Sequence, residues 1–134
     1  MAKLRHVAIK CDDLHWASKF YSELFELEEV GRAGDVNTSG AVYLSDGTVN
    51  VALIKVDDDY VNGKPEGLNH IGFVVSNMDE AVERAERLGA IALVDPSMAG
   101  QAGVTWEMKM KTPDGVYFDF SNHGWPGISG VEAD

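Results

Sequence analysis

Two stretches of this chain, LRHVAIKCDDLHWASKFYSELFEL from residue 4 and LNHIGFVVSNMDEAVERAERLGA from residue 68, match at a spacing of 64, and no other feature constrains the fold as much. His6 and His70 keep that spacing, and so do Asp13 and Asn77 and the pair Leu24 and Leu88. Residues 4–11 alternate in period two, with Leu4, His6, Ala8 and Lys10 on one face and Arg5, Val7, Ile9 and Cys11 on the other, which predicts a strand. Asp12 or Asp13 then caps a helix whose buried face is Ala17, Phe20, Tyr21 and Leu24 and which ends near Leu27. Short strands are predicted over 29–32 and 41–45, and Asp46-Gly47 turns the chain into a β-branched strand over 48–56.

The same order returns after an aspartate- and glycine-rich linker at 57–67. Residues 68–75 alternate as a strand. Asn77, with Glu80 three residues on, opens a helix that Gly89 closes. Strands follow over 90–94 and 104–112, separated by a loop at 95–103, and Asp114-Gly115 turns into a last strand at 116–121. The expected fold class is therefore α+β. It is one domain of two tandem βαβββ units, 4–56 and 68–121, around a shared central pocket, with a tail at 122–134.

Eleven basic against twenty-two acidic residues give a net charge of −11, which repels phosphate backbones and anionic membrane surfaces. Nucleic acid and membrane are excluded as expected partners. The single Cys11 cannot make an internal disulfide, no leader-like apolar run opens the chain, and no segment approaches the ~20 apolar residues of a membrane span. A cytoplasmic protein is expected.

Each histidine lies on the less apolar face of its strand and is followed two residues later by a small one, Ala8 after His6 and Gly72 after His70. Val7 and Ile9, and Ile71, Phe73 and Val75, occupy the opposite faces, so both imidazoles point away from the helices. In Val116-Tyr117-Phe118-Asp119-Phe120-Ser121, alternation puts Asp119 with Tyr117 and Ser121. A carboxylate flanked by phenylalanines is costly unless paired or bound to a cation. His6, His70 and Asp119 are thus the candidate metal ligands. Two imidazoles and one carboxylate form a facial set that suits Fe(II), while Mn, Zn, Ni or Co are also accepted by such donors. His123 and Tyr117 are the candidate catalytic side chains. Tyr43, Trp106 and Met108 are candidate pocket walls, with His15 expected exposed and Cys11 packed.

With TPDGVYFDFSNHGWPG added to the two repeated stretches, the sequence resembles the vicinal oxygen chelate superfamily from Leu4 to about Gly124. That superfamily includes glyoxalase I, methylmalonyl-CoA epimerase, extradiol dioxygenases and bleomycin-resistance proteins. The resemblance implies sheets curled into a cup, with ligands on the first and last strands of each unit. By position it implies that His6 and His70 are ligands and that Asp119 stands where the family usually has glutamate. Aligning the two Asp-Gly turns, at an offset of 68, maps Asp119 onto Val51, which makes Val51 an apolar wall of the site in place of a fourth ligand. The function implied is that of a metal-dependent enzyme, dioxygenase-like first and lyase- or isomerase-like otherwise, acting on a small molecule with two vicinal oxygens. The alternative is a metal-free sequestration protein of the bleomycin-resistance type. A homodimer is the expected assembly.

Overall fold

The computed structural model describes residues 1–55, 67–93 and 107–123. The elements run β1 (Lys3–Lys10), α1 (Leu14–Phe25), β2 (Glu28–Asp35), β3 (Ser39–Ser45), β4 (Asn50–Lys55), β5 (Gly67–Val74), α2 (Met78–Arg87), β6 (Ile91–Ala92), β7 (Met108–Lys111) and β8 (Tyr117–Ser121). This is βαβββ twice, as the repeat predicts. The linker expected at 57–67 lies outside the described residues except for Gly67. So do the loop at 95–103, Trp106 and most of the tail.

The eight strands form one curled, unclosed mixed sheet in the order β2-β3-β4-β1-β5-β8-β7-β6. Within each unit the first strand pairs parallel with the last, β1 with β4 and β5 with β8, and the remaining pairs are antiparallel. β1 and β5 pair antiparallel and join the units through a pseudo-two-fold, in which His6 faces Gly72, Val7 faces Ile71 and Ala8 faces His70.

Both helices start at the predicted caps. The Asp13 carboxylate accepts the Trp16 N–H, and the Asn77 amide oxygen accepts the Glu80 N–H, each satisfying one orphan donor of a first turn. The buried face of α1 differs from the expected one. Leu14 and Ala17 are buried and Tyr21 packs against them, while Phe20 and Leu24 lie exposed beside Trp16. Both stripes fit a helical period, and the direction in which the Asp13 cap launches the helix selects the one that starts at Leu14.

Two cores lie on the helix side of the sheet. Leu14, Ala17, Val42, Leu44 and Leu53 form the first, and Met78, Met108, Met110 and Phe120 the second. The opposite face of the central strands is polar. No described helix is long and apolar enough to cross a membrane.

The strand register corrects one expectation. Val7 pairs with Val51 and Ile71 with Phe118, so Val51 is the counterpart of Phe118, and the counterpart of Asp119 is Ala52. Val51 packs with the first core, beneath α1, and is no wall of the cup. The slip arises in the turns. Asp46-Gly47 opens a four-residue connection between Ser45 and Asn50, whereas Asp114-Gly115 is third and fourth in a five-residue connection between Lys111 and Tyr117. Aligning the two dipeptides therefore misplaces the strands by one residue, which in a strand reverses the face. Met108 is corrected likewise: it is fully buried under α2.

Candidate metal centre

Three neighbouring strands deliver the three predicted ligands to one point. His6 comes from β1, His70 from β5 and Asp119 from β8. The two Nε2 atoms are 3.1 Å apart, and Asp119 Oδ2 lies 3.1 Å from Nε2 of His70 and 3.5 Å from Nε2 of His6. Ligand bonds of roughly 2.0–2.2 Å require donor separations of about 2.8–3.1 Å at right angles and about 3.3–3.6 Å at the tetrahedral angle. The observed triangle falls within those bounds, so one ion reaches all three atoms without side-chain movement. Buried Asp119 Oδ2 accepts no well-aligned hydrogen bond, as expected of an oxygen aimed at a cation. The donor set fits a divalent metal, and aspartate is long enough to complete it.

The small residues after each histidine act across the strand pair. A Cβ built at Gly72 would fall inside the His6 ring, so glycine is what lets that imidazole lie flat on β5. Ala8 faces His70 in the symmetry-related place.

Residues that the alternation pattern assigned to the helix side complete the site. In the β1–β5 ladder Leu4 faces Phe73 and His6 faces Gly72, which leaves Arg5 as an extra residue; Ala8 faces His70 and Ile9 faces Leu68, which leaves Asn69 as another. Both are β-bulges, which re-aim a side chain at a sheet surface. Arg5, fully buried, donates from Nε to Nδ1 of His6 (3.2 Å), from Nη2 to Glu107 (2.5 Å) and Asp119 Oδ1 (3.3 Å), and from Nη1 to the His123 carbonyl (3.1 Å). Asn69 Oδ1 lies 2.8 Å from Nδ1 of His70. Each bulge residue thus hydrogen-bonds the histidine that follows it, but in opposite senses: the Asn69 oxygen accepts from Nδ1 of His70, the outer contact that orients a ligating imidazole, whereas Arg5 donates to Nδ1 of His6. The sequence carried a sign of this. A charged or amide residue at a nominal core position immediately precedes both histidines, at the same spacing of 64.

Lys109 bridges to Glu107 (2.9 Å) and lies 3.9 Å from Asp119, so Arg5, Lys109, Glu107 and Asp119 form two cations against two anions. Burial pushes the Asp119 carboxyl up, but the two imidazoles and their charge pull it further down, well below the usual carboxylate range. Burial lowers His6 more than Asp119 raises it, with Arg5 and His70 adding to the lowering, so His6 stays neutral at neutral pH. Burial and the charge of Glu107 raise the Tyr43 phenol, keeping it a donor.

Of the remaining candidates, Tyr43 lies on the cup side of β3, between the core residues Val42 and Leu44. Tyr117 lines an opening of about 220 Å³ together with Asn69 and His70, the most exposed of the three ligands. His123 contributes its carbonyl, held by Arg5. Cys11 packs on the first core, and His15 bonds Asn37 at the surface.

Comparison with known proteins agrees with this architecture. Residues 5–106 match the profile of the glyoxalase/bleomycin resistance protein/dioxygenase superfamily. Among solved structures, a hypothetical protein from Bacillus halodurans is similar at 18% identity and a TM-score of 0.71, covering 89% of this chain and 92% of its own. A methylmalonyl-CoA epimerase in complex with methylmalonyl-CoA is similar at 18% identity and a TM-score of 0.70, covering 100% and 99%. The Mycobacterium tuberculosis methylmalonyl-CoA epimerase gives 18% and 0.66, covering 88% and 85%. At these identities the likeness shows the fold alone. No curated protein matches the sequence.

Proposed function

This chain belongs to the glyoxalase/bleomycin resistance protein/dioxygenase superfamily, and on that premise we propose that it is a metal-dependent enzyme acting on a small molecule with two adjacent oxygens. The observation that carries the proposal is the convergence of His6 Nε2, His70 Nε2 and Asp119 Oδ2 within bonding range of one point. A divalent ion held there supplies Lewis acidity, stabilising charge that develops on substrate oxygens. Fe(II) is the first assignment for two imidazoles and one carboxylate on one face, with Mn, Zn, Ni or Co as the other ions such donors accept.

The chain's own groups define the rest. Arg5, Lys109, Glu107 and Asp119 cancel in charge, so a divalent ion held beside them would favour an anionic, bidentate substrate. Tyr43 stays protonated and offers its hydroxyl to a substrate oxygen. Abstracting a proton from carbon requires a base free to accept it. The position matching Asp119 in the first unit is Ala52, and Glu107 is engaged by Arg5 and Lys109. Among the described carboxylates of the site none is left free to take a proton from carbon, which ranks oxygenase-like chemistry first and leaves epimerisation to His123 or Tyr117, the candidate catalytic side chains.

One observation favours a second reading, metal-free sequestration of a small molecule. Because Arg5 donates to Nδ1 of His6, a neutral His6 carries its proton on Nε2, the atom a metal must take. Elemental analysis after purification without chelator separates the two. The enzyme reading expects one metal per chain, lost in Asp119→Ala together with turnover of a catechol or 2-oxo thioester panel. No metal under any loading condition, with ligand uptake unchanged in Asp119→Ala, replaces it with sequestration.

A further inference from the structure

A cavity of about 370 Å³ lies between α2 and the sheet, on the face opposite the histidines. The repeat explains it. At the spacing of 64, Ala81 of α2 corresponds to Ala17 of α1, and Ala85 corresponds to Tyr21, whose ring packs against the first core. Where the first unit has that ring, the second has a methyl group. Its floor is aromatic instead, with Phe118 and Phe120 stacked at 6.3 Å. A wall of alanines over a floor of phenylalanines leaves a slot at the small end of the roughly 300–1,000 Å³ that ligand pockets occupy. Arg84 lines both this slot and an adjoining polar hollow of about 260 Å³ that includes Ser76 and Asn77. Its guanidinium pairs with Glu80 at 3.3 Å with both side chains more than half exposed, a pair weak enough to be exchanged.

We propose that this slot is a second ligand site, taking an amphiphile with an apolar body and a carboxylate head: the body lies between α2 and the phenylalanines, and the head displaces Glu80 from Arg84. It is independent of the metal centre, since the two lie on opposite faces of the sheet.

The test is calorimetric titration of the full chain with decanoate and with decanol, with bound decanoate located by amide chemical shifts. Decanoate is expected to bind, shifting amides of α2 and β8 near Phe118. Ala85→Tyr, which restores the residue of the first unit, should weaken it at least tenfold, and Ala85→Leu serves if the tyrosine variant does not fold. Arg84→Gln should weaken decanoate several-fold and leave decanol unchanged, whereas Glu80→Gln should tighten decanoate. Absence of binding at millimolar ligand, equal binding in folded Ala85 variants, or shifts confined to the histidine face would overturn the proposal. So would a change of oligomeric state in Ala85→Tyr, which would mark the slot as an interface between copies.

Discussion

Gly72 sets how closely β1 and β5 bring the two imidazoles together. Its missing Cβ is the space that the His6 ring occupies, so Gly72→Ala forces that ring off the sheet or the strands apart. Overpacking of this kind costs about 1–3 kcal/mol. The expected outcome is a lower melting temperature and loss of bound metal by elemental analysis, since a displaced His6 no longer meets His70 at 3.1 Å. Ala8→Gly, at the symmetry-related position, removes a methyl that His70 already tolerates and should leave metal content intact. Equal metal content in wild type and Gly72→Ala would show that the close approach is not what holds the site. At this scale the three clustered side chains were legible because each histidine sits in a repeated context and Asp119 stands alone between phenylalanines. Arg5 and Asn69 were not, because period two assigns every second residue to one face and a bulge breaks the count.

At the scale of elements the two bulges are equivalent in place but unlike in chemistry. Asn69 meets His70 through a neutral amide, whereas Arg5 brings a charge that ties His6, Glu107, Asp119 and the His123 carbonyl into one buried cluster. Removing a single charge from such a cluster leaves its partners buried without compensation, at a cost of about 3–5 kcal/mol. Arg5→Gln should therefore destabilise strongly, and Glu107→Gln in the same chain should recover part of the loss, read as the denaturant midpoint of single and double variants. Strict additivity would show that the two act independently. Asn69→Ala should be mild in stability yet lower metal affinity about 10–100-fold, the usual effect of removing an imidazole's outer partner. The order of elements and both caps were readable because Asp13 and Asn77 accept the hydrogen bonds their residue types favour. The register of β4 was not, because two Asp-Gly pairs that look alike occupy different places in turns of different length.

Across the whole molecule, the central strands β4, β1, β5 and β8 hold the two units together, and the His6, His70 and Asp119 cluster spans three of them. Protonation at the cluster therefore acts on the seam between the units, and its sign follows from two shifts. Folding lowers His6 below its ordinary 6.5, so the unfolded chain takes up that proton first and stability declines as pH falls below about 6.5. Asp119 is also lowered from its ordinary 3.8, so its contribution is present above that value and is lost as pH falls further. Both act in the same direction. Urea midpoints measured by circular dichroism should fall monotonically from pH 7.5 to 3.5. A divalent metal binds the deprotonated ligands of the folded state alone, so saturating metal should raise every midpoint near neutrality and lose that effect in acid. In His6→Gln the decline between pH 6.5 and 5 should flatten and the metal-dependent rise should vanish. An unchanged slope in that variant would mean that acid opens the protein elsewhere, and that the seam is held by the β1–β5 ladder and the packing beneath the helices without help from the cluster above it.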